Sequence, residues 1–211
     1  FDEIFSNFLI NSNIRQKIKK TKKLNKVFDN KPLNIIKEKI NFKLTNDQLK
    51  SIEQINLDLR SNKKMFRLLQ GDVGSGKTIV ALITSLNVIS SNFQVCLMAP
   101  TEILAKQHYN LTKKLFPKDI EVELLTGKTD YSSRKKIIKN LETNKIKMII
   151  GTHSLFQEKI KYNSLGLVII DEQHKFGVKQ RKKLSDKGGK NCDVLVMSAT
   201  PIPRTMIMTI F

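Results

Sequence analysis

The sequence predicts an α/β domain: a parallel sheet flanked by helices. Three observations lead there. Short apolar runs recur without polar alternation, amphipathic stretches separate them, and one run passes through a glycine-rich loop straight into a helix. The 211 residues suffice for one sizeable core. No apolar run approaches the roughly 18 residues needed to span a bilayer. The first residues carry Asp2 and Glu3 and lack a basic start, so no signal peptide is read there. Cys96 and Cys192 lie far apart in apolar runs, the pattern of reduced core thiols, and a cytoplasmic protein is expected. The chain begins without Met and stops within an apolar run, which reads as a fragment.

The formal net charge is +19, but 32 of the 38 basic residues are Lys. Lys, Ile and Asn together exceed a third of the chain, a bias that A/T-rich codons would impose on any protein. The charge alone therefore leaves a polyanion partner and a codon effect both open.

Residues 1–43 read as helical segments that precede the domain. Ile4, Phe5, Phe8, Leu9, Ile14 and Ile18 fall at helical spacings, and residues 15–26 carry seven positive charges and no acid. That basic stretch is either a solvated helix face or a DNA-facing one. Pro32 interrupts, and Leu33, Ile36 and Ile40 mark a shorter helix. From residue 44 the domain proper begins. A helix over 47–60 carries Leu49, Ile52, Ile55 and Leu59 on one face. Strands are predicted at 66–70, 95–99, 122–125, 148–150, 167–170 and 194–197, with helices at 78–91, 102–116 and 131–143 between them.

Gly71-Asp72-Val73-Gly74-Ser75-Gly76-Lys77-Thr78 fits the phosphate-loop pattern GxxxxGK[ST], with a strand before it and a helix after. Glycines there let successive amides turn inward to form an anion nest at a helix N-terminus. Lys77 is expected on the β- and γ-phosphates of a nucleoside triphosphate, and the Thr78 hydroxyl on Mg²⁺.

A later strand, 167–170, runs into Asp171-Glu172-Gln173-His174. An acid at the C-terminal tip of a parallel strand faces the same crevice as the phosphate loop. Asp171 is then the Mg²⁺ partner and Glu172 orients or deprotonates the attacking water. His174 either contacts the γ-phosphate region or caps the turn. Thr45 and Gln48 have capping-box spacing, while a Gln at this place can also read an adenine edge; the two roles are compatible. Ser198-Ala199-Thr200 follows the last strand, where small hydroxyl residues can relay the γ-phosphate state. Pro100-Thr101-Glu102, Thr126-Gly127-Lys128 and Thr152-His153 each end a strand and together suggest a track for a nucleic-acid backbone.

Taken in order, these motifs resemble those of superfamily 2 helicases: LLQGDVGSGKT, APTEILAKQH, LLTGK, DEQH and SAT. DEQHKFGVKQRKKL and MSATPIPRT are most similar to the RecG family of bacterial helicases, which remodel branched DNA. One departure is Lys175, where that family usually has Arg, which puts any bidentate role there in doubt. The resemblance implies a RecA-like P-loop NTPase domain, the first of two motor domains, preceded by a connector over 1–43. It implies ATP and Mg²⁺ as cofactors, and forked or four-way DNA junctions as partners. It places the branch-recognising wedge before Phe1 and the second motor domain, with its arginine finger, after Phe211. The segment alone is then expected to bind nucleotide weakly and hydrolyse it slowly or not at all. Two other readings stay open: a translocase of the transcription-repair coupling or replication-restart type, and a non-catalytic module that senses nucleotide and binds DNA.

Overall fold

Neighbouring residues of each central strand enter different cores. Val95, Leu97, Leu167, Ile169, Leu195 and Met197 join one apolar cluster, while Cys96, Met98, Val168, Ile170, Val194 and Val196 join another. A strand buried on both faces has no solvent side, which is why these runs read as continuously apolar.

The computed structural model describes residues 22–29, 31–157, 159–171 and 187–199. Its strands are β1 (Phe66–Gln70), β2 (Gln94–Met98), β3 (Val122–Leu125), β4 (Met148–Gly151), β5 (Leu165–Ile170) and β6 (Asp193–Ser198). They form one sheet in the order β1-β6-β5-β2-β4-β3, parallel throughout. The helices are α1 (Lys31–Lys39), α2 (Asn46–Arg60), α3 (Lys77–Ser90), α4 (Glu102–Leu115) and α5 (Tyr131–Glu142). Helices α1 to α4 supply the first core; α5, through Ile137 and Leu141, supplies the second. Among the described residues no helix is long and apolar enough to cross a membrane.

From residue 31 onward the predicted strands and helices are present, with ends shifted by one or two residues, while the helical reading carried by Ile4 to Ile18 lies outside the described residues. β2 begins at Gln94, whose buried side-chain amide donates to Leu141 O (2.9 Å) and Ile146 O (2.8 Å). β6 begins at Asp193, also fully buried. α3 is buried from Ile79 to Ile89, pressed between the sheet and helices α1 and α2. Its polar side chains are satisfied within the fold: Thr84 and Ser85 donate to Val80 O and Ala81 O, and Asn87 donates to Asn56 Oδ1.

The basic stretch departs from both expectations. Within it, residues 22–26 form an extended strap, not a helix, and Lys23 and Lys26 are buried. Both ammonium groups lie 2.6 Å from Asp193 Oδ2. Lys23 also donates to Asp58 O and Lys26 to Asn191 O, and Lys26 stands over the Phe93 ring. Asp193 Oδ1 accepts from Met65 N. The apolar side chains point the other way: Leu24 is 62% and Val27 80% exposed. A carboxylate fixed at the root of β6 attracts the lysines inward more strongly than their neighbours' hydrophobicity attracts those. Residues 15–21 lie outside the described residues. Pro32 sits in the first turn of α1, where a missing N–H breaks no helical bond. Ile36 is fully buried in the first core, so α1 packs as part of the domain.

Candidate nucleotide site

Because every strand is parallel, all the strand-end loops open at one edge. The sheet order sorts them into halves. The phosphate loop follows β1, Ser198 and Ala199 end β6, and Asp171 follows β5; these strands are neighbours. Loops 100–102, 126–128 and 152–153 follow β2, β3 and β4, which form the other half. The phosphate loop and Asp171 are separated by β6 alone, roughly 10 Å at ordinary interstrand spacing.

The phosphate loop is shaped by its glycines. Gly74 and Gly76 both have φ of 81°, in the left-handed region. A Cβ on Gly76 would also collide with Gln48 Nε2. Gly76 caps α3 with no side chain, so the first amides of that helix stay available to an anion. Gly71 N donates to Ser198 O (3.3 Å), tying the loop to the end of β6. Lys77 Nζ donates to Gly71 O (2.6 Å) and Asp72 O (2.7 Å), so the ammonium folds back over its own loop. Ser75 is exposed, Val73 is 89% exposed, and Thr78 is half-buried in the first turn of α3.

Gln48 performs the capping role and one more. Thr45 Oγ1 accepts from Gln48 N, and Gln48 Oε1 accepts from Thr45 N, completing the box. Gln48 Nε2 donates to Ser75 O (2.9 Å), which links α2 to the phosphate loop.

Asp171 N donates to Met98 O (2.9 Å), extending the β5–β2 ladder by one step. The Asp171 carboxylate meets a residue to which the sequence reading gave no role. His108, on α4, sits with Nε2 2.8 Å from Asp171 Oδ2. An ionised carboxylate only accepts, so the imidazole is the donor. His108 is 7% exposed and shares the inner face of α4 with Ala105, Thr112 and Leu115. A histidine on the apolar stripe of the helix after PTE was the signal available in the sequence. Glu172, His174, Lys175 and Thr200 lie outside the described residues. Ser198 is buried and Ala199 half-buried.

In the other half, Thr101 Oγ1 caps α4 by accepting from Leu104 N. Pro100 is half-buried before it, Glu102 pairs with Lys128 at 3.3 Å, and Gly127, Lys128 and His153 are exposed. Thr126 and Thr152 depart from the expectation of hydroxyls offered outward, for both are buried. Thr126 Oγ1 accepts from Lys128 N, shaping the turn. Arg134 was not foreseen: it donates to Thr126 O and Gln157 Oε1 (both 2.8 Å), joining two of these loops. Asp130 caps α5, and hydrogen bonds from Ser132 and Ser133 hold its carboxyl well below the usual range.

A family model described as DEAD/DEAH box helicase matches residues 45–209. The chain belongs to that family. DEAD/DEAH box helicases use ATP and Mg²⁺, and the residues present fit them: Gly76 leaves the start of α3 uncapped by any side chain, and Thr78 and Asp171 carry oxygen ligands for a hard cation. The sequence is similar to the ATP-dependent DNA helicases RecG of Aquifex aeolicus (48% identity) and Thermotoga maritima (46%), each alignment covering this whole chain. In both cases the chain spans 27% of the relative's length. Among solved structures, RecG bound to a three-way DNA junction superimposes on the whole chain with a TM-score of 0.85 and 43% identity, matching 28% of that protein. The DEAD-box helicase Mss116, bound to single-stranded RNA and UDP-BeF, gives 0.70 over 88% of this chain at 22% identity, a likeness of fold. The family resemblance read from the motifs is borne out, as is the α/β fold.

Proposed function

We propose that the chain is the first motor domain of a RecG-type DNA helicase, which couples ATP hydrolysis to remodelling of branched DNA. The observation that carries this reading is the shared edge: phosphate loop and Asp171 face one crevice with one strand between them. The similarity to RecG over the full chain supports the DNA partner.

In this reading the amides of residues 71–78 receive the phosphate chain. Lys77 leaves the Gly71 and Asp72 carbonyls for the β- and γ-phosphates, an exchange of neutral acceptors for charged ones. Thr78 and Asp171 hold Mg²⁺, which when bound neutralises charge on the transferring phosphoryl group. Glu172 orients or deprotonates water, and Gln48 faces the base from the position where it already holds Ser75 O. Ser198, Ala199 and Thr200 relay the phosphate state, since Ser198 O is bound to Gly71 N. Thr101, Gly127, Lys128 and His153 face the DNA backbone, contacts that track phosphates and carry little sequence information. The wedge and second motor domain are supplied by the remainder of the protein. The segment alone binds nucleotide weakly and turns it over slowly, for want of an arginine finger.

The test uses the full-length protein. A four-way or forked DNA should stimulate its ATPase more than a plain duplex, and Glu172→Gln should remove that turnover. Equal stimulation by plain duplex would favour the coupling or restart type. Unchanged activity in Glu172→Gln would favour a nucleotide-sensing module.

A further inference from the structure

Two halves of one sheet edge must communicate if nucleotide turnover is to move a strand of DNA. The expected DNA-facing loops follow β2, β3 and β4, and the phosphate loop and metal-side acid follow β1 and β5. β5 and β2 are the neighbours at the divide. There, among the described residues, a side-chain hydrogen bond crosses from half to half at the ligand edge: His108 Nε2 to Asp171 Oδ2. The same helix that carries His108 begins at Thr101, a residue of the expected DNA track. Seven residues separate them, about 10 Å of helix axis. The helix is anchored between these points by the Thr101 cap and by burial of Ala105 and His108. Asp171 is held on its other side by the backbone bond to Met98, the strand that leads into α4.

We propose that His108 is a positioning residue: it fixes the Asp171 carboxylate toward the metal site and makes α4 the link by which a DNA backbone at Thr101 adjusts it. His108 binds Asp171 through Oδ2, so the imidazole sets the orientation of the whole carboxylate. Displacement of α4 moves the imidazole and, with it, the carboxylate. The inference rests on the nucleotide reading above. Outer partners of metal-binding groups characteristically change metal affinity or activity by roughly 10–100-fold when removed.

The test compares His108→Leu, which keeps apolar bulk without a donor, with His108→Gln, whose amide N–H donates over a similar reach. Both are made in the full-length protein beside Lys77→Ala. The first readout is affinity for a fluorescent ATP analogue with Mg²⁺ and with EDTA. The second is the ratio of DNA-stimulated to basal ATPase. His108→Leu should lose roughly tenfold in the Mg²⁺-dependent gain of affinity, match wild type in EDTA, and show a reduced stimulation ratio. His108→Gln should recover both. Wild-type Mg²⁺ dependence and stimulation in His108→Leu, beside lost binding in Lys77→Ala, would overturn this inference alone. So would an equal loss with and without Mg²⁺ in both variants, which marks a merely structural role. Unaltered binding in Lys77→Ala would overturn the nucleotide reading, and this inference with it.

Discussion

The two ends of the sheet use lysine in opposite ways. At the phosphate loop, Lys77 rests on two carbonyls of its own loop and, among the described residues, on no carboxylate. At the other end, Lys23 and Lys26 are sealed onto Asp193 with their side chains fully buried. An ammonium held by neutral acceptors is ready to exchange them for an anionic ligand. Two ammonium groups that share one buried carboxylate are held inside the fold, where an outside anion does not reach them, and removal of that carboxylate strands both charges. The lesson is that a lysine's partner, more than its presence, separates a binding residue from a fold-locking one.

The sharpest way to break this comparison is Asp193→Asn. It would leave two buried ammonium groups facing each other, a loss of about 3–5 kcal/mol in urea unfolding. Nucleotide affinity of the surviving folded fraction should not change. Lys77→Ala should do the reverse: roughly a hundredfold weaker nucleotide binding in a fluorescence titration, as expected for a lost charge-assisted contact, with an unaltered melting temperature. Were it to destabilise the fold as well, the distinction between the two ends would fail. Gly76→Ala tests the loop backbone and sits between the extremes. It places a side chain at a φ of 81° and against Gln48, and should cost about 1–2 kcal/mol while also weakening nucleotide binding.

The smallest effect concerns pH. Burial pushes the Lys23 ammonium below the ordinary lysine value of 10.5, against the pull of Asp193. The unfolded chain then binds more protons than the folded one between that lowered value and 10.5, so this group's contribution to stability rises with pH across that window. Wild type should therefore gain on Lys23→Met as pH climbs toward 10.5, measured by parallel urea titrations. A constant difference between the two would contradict the assignment.

The layout of the sheet was legible because its strands are buried on both faces and its helices are amphipathic, and both leave local patterns. What the sequence concealed was each polar residue whose partner lies far away. Gln94 reads as a loop residue until Leu141 and Ile146 supply its acceptors. Asp193 falls just outside the strand predicted at 194–197, and its role shows only when the strap, about 170 positions earlier, brings two lysines to it. Lys23 and Lys26 read as surface for the same reason. In the site, the glycine loop and Asp171 announced themselves by spacing, for their chemistry is carried by contiguous backbone. His108 did not, because its meaning comes from a residue 63 positions away.

The burial of α3 on nearly every side has a practical corollary. A shortened chain starting at residue 44 would lack α1 and the strap, and with them the cover over part of α3. The helix that receives the triphosphate would then present bare aliphatic side chains to water. Such a truncation should come out of expression as inclusion bodies, whereas one that retains residues 22–43 should stay in solution.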